Sequence, residues 1–135
     1  MPISNCRIIN LPKICDDRGN LTFIENLNHI PFDIRRVYYL YNIPETKSRG
    51  AHGHIGLEQL VIAISGAFDI TLDDADTKKT FHLNSPEYGL YVSKGIWRNI
   101  NNFSTNAVCL VLASHPYDES DYIRNYDEFI ELMKK

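Results

Sequence analysis

The sequence contains few cysteines, and none is placed to form a disulfide framework or a zinc knuckle. The 135 residues include 3 cysteines, Cys6, Cys15 and Cys109. Their number is odd and no Cys-x-x-Cys spacing occurs, so we expect neither kind of cross-link. We predict that they are small buried or half-buried apolar residues. A chain of this length can bury a core without cross-links, and we expect a single domain over residues 1–135.

Long apolar runs and clusters of positive charge are also missing. No run is long enough to span a bilayer, and the segment from Met1 to Arg7 lacks the apolar core of a signal peptide. The 14 Lys and Arg against 17 Asp and Glu give a net charge of −3, and no basic run exceeds a pair. We therefore expect a cytoplasmic protein without nucleic-acid or membrane partners, in which a few placed arginines would have to bind any anionic ligand.

Short apolar or alternating segments, separated by turn-forming residues, recur along most of the chain. They span residues 6–11, 21–25, 34–41, 49–54, 59–65, 67–72, 79–83, 88–92, 96–100 and 107–113. Many short strands at nearly regular spacing, without helical patterns between them, predict a β-sandwich or a β-barrel.

The last segment of the chain changes period. Asp118 or Ser120 can cap a helix, and apolar residues then recur at steps of three and four up to Met133, before a basic tail. This pattern predicts an amphipathic C-terminal helix that begins near Tyr122. We expect its aromatic stripe to cover the core rather than to bind a ligand.

Two histidines stand out in the segment RGAHGH, residues 49–54. In an extended strand, side chains two apart point to the same face, so His52 and His54 project together into one cavity. Gly50 and Gly53 remove side-chain bulk around them, which suits close approach of a ligand to the backbone. The pair is therefore predicted to form a site.

The order of glycine, His-x-His, three residues, Glu58 and an apolar strand ending at Gly66 resembles the first motif of the cupin barrels. In the segment that corresponds to the second motif, Gly95 is kept, but Arg98 stands where cupins have a third histidine. A guanidinium has no lone pair to give to a cation, so we predict neither a metal nor another cofactor. The resemblance implies an all-β cupin, or RmlC-like, jelly-roll barrel with a short C-terminal helix.

The whole chain resembles a narrower group, the nucleotide-sugar 3,4-ketoisomerases. The resembling segments are residues 34–39, 49–54, 85–86, 89–92, 95–98, 111–114 and 117–126. Ala51 and the pair Ser93-Lys94 depart from the family pattern. The resemblance implies conversion of TDP-4-keto-6-deoxyglucose to its 3-keto isomer, on the way to TDP-linked 3-amino sugars. It also implies a homodimer, in which an N-terminal strand without a partner of its own would be exchanged.

Such a reaction removes a proton beside a ketone, passes through an enediol and returns a proton to the neighbouring carbon. Imidazole suits both transfers because its pKa lies near the working pH. We predict that His52 is the base, and that His54 binds sugar oxygens or holds the tautomer of His52. Tyr38 is predicted to donate to the developing oxyanion. For Tyr38, ordinary strand packing remains an alternative.

Five further residues are predicted to bind the substrate. Arg49 and Arg98 are candidates for stabilising negative charge or binding the pyrophosphate, and Arg36 is a third candidate. Trp97 is predicted to wall the sugar pocket, and Glu58 to contribute a carboxylate. Strand packing is the alternative for Arg36 and Trp97, and a hydrogen bond within the barrel is the alternative for Glu58.

Three other functions stay open. A nucleotide-sugar 3,5-epimerase would use a His-Asp pair, and no aspartate lies beside the His-x-His in the sequence. A metal-dependent cupin enzyme could use His52, His54, Glu58 and a fourth ligand such as His82. A non-catalytic sugar-binding module would need the cavity alone.

Overall fold

Strand-forming segments account for most of the fold. The computed structural model describes residues 2–134. Its strands are β1 (Arg7–Asn10), β2 (Lys13–Asp16), β3 (Gly19–Thr22), β4 (Arg36–Leu40), β5 (Arg49–His54), β6 (Gln59–Ser65), β7 (Phe68–Asp73), β8 (Lys78–Leu83), β9 (Tyr88–Val92), β10 (Trp97–Asn101), β11 (Val108–Ala113) and β12 (Tyr122–Ile123). Two α-helices, α1 (Pro2–Asn5) and α2 (Tyr126–Met133), lie at the ends, and a 3-10 turn covers Glu119–Asp121.

The strands form two five-stranded antiparallel sheets and one separate hairpin. The first sheet has the order β1-β9-β6-β11-β4, the second has the order β12-β5-β10-β7-β8, and β2 pairs with β3. Buried side chains from both sheets share one core cluster, so the sheets pack face to face. Strands distant in the sequence alternate within each sheet, which is jelly-roll topology. The predicted all-β jelly-roll barrel with a C-terminal helix is confirmed.

Strand β6 shows why a continuous apolar run was present in the sequence. Its first five residues are all buried. Val61 and Ala63 belong to the core between the sheets, whereas Leu60 and Ile62 pack with Phe32 on the outside of the first sheet. A strand that is covered on both faces needs apolar side chains at every position.

Strand β4 resolves which of its faces points inward. Arg36, Tyr38 and Leu40 are partly buried, and Tyr38 and Leu40 pack against the core between the sheets. Val37 and Tyr39, on the other face, are 53% and 59% exposed. An arginine and a tyrosine are thereby directed into the sandwich.

The C-terminal helix begins later than predicted. Tyr122 and Ile123 form strand β12, which pairs with β5 at the edge of the second sheet. The helix begins after Asn125, whose side chain accepts a hydrogen bond from the backbone N–H of Glu128 at 3.0 Å. Asp118, one of the predicted caps, instead accepts from the backbone N–H of Ser120 at the 3-10 turn. Backbone pairing at a sheet edge outweighs the helical periodicity of the side chains here.

Helix α2 covers the second sheet through Phe129, which is fully buried. The burial of a side chain of this size stabilises the fold by roughly 2–3 kcal/mol. A Cβ atom built on Gly53 would lie 2.9 Å from Cδ1 of Phe129. Gly53 is therefore needed for the helix to pack against the histidine strand, and not for a ligand as the sequence suggested.

The N-terminal segment differs from the expectation in two ways. Strand β1 is not without a partner, because it pairs with β9 of its own chain. The strand predicted at residues 21–25 lies earlier and forms the hairpin of β2 and β3, in which Ile14 pairs with Leu21. This hairpin pairs with neither main sheet. Among residues 2–134, no helix is long and apolar enough to cross a membrane.

Candidate active site

A cavity of about 420 Å³ opens between the two sheets. Its inner wall is apolar and includes Val61, Ile70 and Val111. Its polar lining contains His52, Tyr38, Gln59 and Tyr122, together with four arginines and no carboxylate: Arg36, Arg49, Arg98 and Arg124. Arg124 is paired with Glu119 at 2.6 Å, and the other three guanidinium groups make the cavity suited to an anionic ligand.

Strand pairing places the polar groups of the cavity. His52 lies on β5 and faces Arg98 directly across the antiparallel pair of β5 and β10. Residues that are directly opposite on one face of a sheet have side chains within contact distance. The arginine that stands where cupins have a metal-binding histidine is thus the neighbour of the first histidine.

Arg98 is buried, with 2% of its surface exposed, and makes two hydrogen bonds. Its Nη1 donates to Oε1 of Gln59, and its Nη2 donates to the carbonyl oxygen of Ile96 at 3.1 Å. Its Nε has no partner. Burial lowers the pKa of Arg98 to about 10, so the group remains a cation at neutral pH. Within residues 2–134, no carboxylate forms an ion pair with it.

Gln59 extends this network to the predicted phenol. Its Nε2 donates to the hydroxyl oxygen of Tyr38 at 2.8 Å. Because that oxygen accepts, the phenol proton remains free to be donated into the cavity. Burial raises the pKa of Tyr38, which keeps the proton on the phenol.

The two histidines lie side by side, as their spacing predicted. Their ring centroids are 4.8 Å apart in an edge-to-face arrangement, and the ring of Tyr122 lies 5.0 Å from His52 and 4.4 Å from His54. His52 lines the cavity described above, whereas His54 lines the adjoining depression together with Asp121 and Tyr122. Among residues 2–134, the Nε2 atoms of both rings are buried without a hydrogen-bond partner. Buried polar atoms are almost always satisfied, so a ligand or a water molecule is expected to bind each of them.

Both imidazoles are held neutral by their surroundings. Burial, and after it the charge of Arg98, lowers the pKa of His52 to about 4 and that of His54 to about 2. A neutral imidazole keeps one lone pair that can accept a proton. The site can therefore act as a base without first losing a proton.

His54 is almost completely buried and has a carboxylate on its other ring nitrogen. Its Nδ1 lies 3.0 Å from Oδ2 of Asp121, and Oδ1 of Asp121 accepts the backbone N–H of Gly56 at 2.7 Å. Because β12 pairs with β5, Tyr122 stands opposite His54, and Asp121, the last residue of the 3-10 turn, lies beside it. The absence of a nearby aspartate in the sequence is thus no argument against an epimerase.

Two residues that were predicted to bind the substrate lie outside the cavity. Trp97 alternates with Arg98 on β10 and packs on the helix side, with ring centroids 5.3 Å from Tyr126 and 5.7 Å from Phe129. Glu58 accepts a hydrogen bond from the hydroxyl of Tyr91 and lines a different depression. Alternation along β10 turns Trp97 away from the face that carries Arg98, and Glu58 lies just before β6, outside the strand.

The four residues considered as metal ligands do not converge. Besides Glu58, His82 lies on β8, with its Nδ1 2.7 Å from Oδ1 of Asp69, and its side chain is 60% exposed. Among residues 2–134, no group of three His, Cys, Asp or Glu side chains is placed to hold a metal ion.

Sequence reasoning missed four residues that belong to this site. They are Gln59, Asp121, Tyr122 and Arg124. Gln59 was overlooked because it is the first residue of an apolar strand and was treated as part of that run. The other three lie in residues 117–126, which carried the family resemblance, but the helical periodicity there concealed their strand and turn geometry.

Comparison with known proteins returns a family model that covers nearly the whole chain. A family model described as FdtA: WxcM-like, C-terminal, matches residues 4–134. The chain is 43% identical over 129 residues to a TDP-4-oxo-6-deoxy-alpha-D-glucose-3,4-oxoisomerase of Aneurinibacillus thermoaerophilus, and the match covers 96% of this chain and 93% of the relative.

Two solved structures are similar over nearly the whole chain. The TDP-quinovose 3,4-ketoisomerase WlaRB of Campylobacter jejuni has a TM-score of 0.91 and 49% identity, covering 94% of this chain and 98% of that one. A histidine-to-asparagine mutant of the 3,4-ketoisomerase QdtA of Thermoanaerobacterium thermosaccharolyticum, in complex with TDP-4-keto-6-deoxyglucose, has a TM-score of 0.94 and 43% identity, covering 96% of this chain and 94% of that one.

The low histidine pKa can be measured directly. We expect the ring resonances of His52 in NMR spectra to stay constant from pH 8 down to about pH 5 and to shift only near pH 4. Because the unfolded chain binds this proton near pH 6.5, the free energy of unfolding should fall as the pH drops from about 6.5 to about 4. A titration of His52 with a midpoint near 6.5 would contradict the burial and charge described here.

Proposed function

Because this chain belongs to the FdtA family (WxcM-like, C-terminal), we propose that it is a 3,4-ketoisomerase that moves the keto group of TDP-4-keto-6-deoxyglucose from C4 to C3. Two neutral imidazoles beside a buried cation without a carboxylate partner are what this chemistry requires. The 3-keto product would then serve the biosynthesis of TDP-linked 3-amino-deoxy sugars.

His52 is the proposed base. Its neutral ring takes the proton from C3, and the electrons of that bond form the C3–C4 enediol while O4 takes a proton from the phenol of Tyr38. The phenolate of Tyr38 then takes the proton from O3, the C3 ketone forms, and the imidazolium of His52 returns its proton to C4. One imidazole can take a proton and return it, and the phenol recovers its proton in the same cycle, so no acid or base from outside the site is needed.

Arg98 and Tyr38 stabilise the oxygen that becomes negative. Arg98 is already desolvated, so its charge acts on a developing oxyanion without the screening that water would give. Tyr38 has a free proton and accepts a bond from Gln59, which Arg98 in turn holds. The donors are therefore fixed in place before the charge develops.

The remaining arginines are proposed to bind the diphosphate of the substrate. Arg36 and Arg49 line the cavity, and a planar guanidinium matches phosphate oxygens in pairs. His54 completes the proposed catalytic set with His52 and Tyr38. Trp97 and Glu58 lie outside the cavity and are not included in this assignment.

Incubation with TDP-4-keto-6-deoxyglucose in deuterated water tests the reaction and its competitors. NMR should show a 3-keto product, with deuterium at C4 to the extent that the proton held on His52 exchanges with solvent before it is returned. Deuterium at C3 and C5 with the ketone still at C4 would indicate a 3,5-epimerase, and the absence of both a 3-keto product and any exchange would indicate a binding module. Turnover that requires a stoichiometric transition metal would favour a metal-dependent cupin.

Replacement of the base should separate chemistry from binding. We expect His52→Asn to abolish turnover while leaving the affinity for TDP nearly unchanged. The substitution removes the imidazole that accepts the proton, and the asparagine amide keeps a polar group of similar size at this position. Isothermal titration with TDP measures the affinity. Loss of TDP binding together with turnover would show that His52 holds the ligand rather than acting as the base.

Two adjacent arginines, one just before β4 and one at its first residue, give a matched test of the diphosphate site. Arg36 lines the cavity and its Nε is buried without a partner, whereas Arg35 is exposed and lies 3.8 Å from Asp33. Arg36→Gln should weaken TDP binding about 10- to 100-fold through the loss of charge-assisted hydrogen bonds. Arg35→Gln should leave it unchanged. Equal effects of the two substitutions on the dissociation constant would contradict the proposed site.

We also infer that the protein is a single cupin domain over residues 1–135 that acts in the cytoplasm as a homodimer. Its proposed substrate is a free nucleotide sugar, so no nucleic-acid or membrane partner is required.

The hairpin of β2 and β3 exposes Ile14 and Leu21 at 56% and 55% and pairs with neither sheet, so it is the N-terminal element proposed for exchange. Sedimentation equilibrium should give the mass of two chains, and Ile14→Asp should shift it toward one. A wild-type mass of one chain would contradict the dimer.

A further inference from the structure

We propose that Asp121 is a positioning residue that fixes the tautomer of His54, so that Nε2 of this ring is a proton acceptor within the site. The inference rests on the proposed function for its kinetic consequences, but the tautomer itself can be observed independently of any reaction.

The contact between the two side chains determines where the ring proton lies. Oδ2 of Asp121 is 3.0 Å from Nδ1 of His54. An ionised carboxylate can only accept a hydrogen bond, so Nδ1 must carry the proton. A neutral ring has one N–H, and Nε2 is therefore left with its lone pair.

Asp121 is held so that it cannot turn away from His54. Its other carboxylate oxygen accepts the backbone N–H of Gly56 at 2.7 Å. Its backbone N–H donates to the carbonyl oxygen of Asp118 at 3.0 Å, and its own carbonyl oxygen accepts from the N–H of Ile55 at 3.1 Å. Both the side chain and the backbone of Asp121 are thus hydrogen-bonded to the two residues that follow β5, Ile55 and Gly56.

The acceptor that results is buried and unused by the protein. His54 is 1% exposed, and its Nε2 has no hydrogen-bond partner. A buried polar atom without a partner is destabilising unless a ligand or water satisfies it. The neighbouring Nε2 of His52 is in the same condition, with the two ring centroids 4.8 Å apart. Unpartnered nitrogens on two neighbouring rings are suited to a proton that moves between the substrate and the imidazole pair.

Asparagine at position 121 would reverse the tautomer while conserving shape. Its amide nitrogen can donate to Nδ1 of His54, which forces the ring proton onto Nε2 and turns the acceptor into a donor. The same change at the aspartate of a serine-protease triad keeps the geometry and reduces turnover about 10⁴-fold. The charge near the ring is also lost, which makes an imidazolium at His54 less stable.

The test combines NMR of the wild-type protein with kinetics of two variants. Nitrogen-15 spectra should show His54 protonated at Nδ1 in the wild type and at Nε2 in Asp121→Asn. That variant should lower kcat about 10²- to 10⁴-fold and change KM by less than about threefold. Asp118→Asn is the matched control, because Asp118 is exposed and caps the neighbouring turn, a role that asparagine fills as well.

Each outcome decides a different point. A wild-type His54 protonated at Nε2 overturns the proposal even if no variant folds. An Asp121→Asn protein with the reversed tautomer and unchanged kcat also overturns it, because the acceptor would then have no use. If the wild type does not isomerise the sugar but shows the Nδ1 tautomer, the proposed function fails and the positioning of His54 by Asp121 stands.

Discussion

The site depends on a single buried charge, the guanidinium of Arg98. Burial of a cation without a counter-ion is costly, and the fold meets that cost only in part, through hydrogen bonds to Gln59 and to the carbonyl of Ile96. The electric field of the uncompensated guanidinium charge acts on the neighbouring histidines and on the cavity. After burial, which has the larger effect, it lowers the pKa of both histidines, and it favours negative charge on any ligand that enters the cavity. Arg98 thus helps burial to keep the bases neutral and stabilises the anion that they generate.

The jelly roll brings these groups together through strand pairing rather than through sequence proximity. β5 and β10 set His52 opposite Arg98, β4 supplies Tyr38, and β6 supplies the glutamine that connects them. The turn before β12 then adds Asp121 to the second histidine. The cavity combines arginines with an apolar wall, which suits a ligand with a charged diphosphate and a deoxygenated sugar.

The alternation of side chains along a strand was enough to find the histidine pair and the all-β fold, because residues two apart share a face of the sheet. It could not find Asp121, which is separated from His54 by 67 positions and meets it only through the pairing of β12 with β5. The same segment has helical spacing, so local pattern and tertiary pairing disagree there, and pairing prevails. Trp97 and Glu58 show the opposite limit, because each lies next to a site residue in sequence but outside the cavity. Strand alternation turns Trp97 away, and Glu58 precedes β6 and bonds to Tyr91.

The placement of the sugar beside Arg98 and the two imidazoles is tested most directly by a crystal structure of the His52→Asn variant with TDP-4-keto-6-deoxyglucose. We predict that the C3–C4 edge of the sugar lies against position 52, with O4 within hydrogen-bond distance of Arg98 or Tyr38 and the diphosphate against the arginines of the cavity. A sugar bound in another depression, or a His54 ring turned outward to solvent, would contradict this placement.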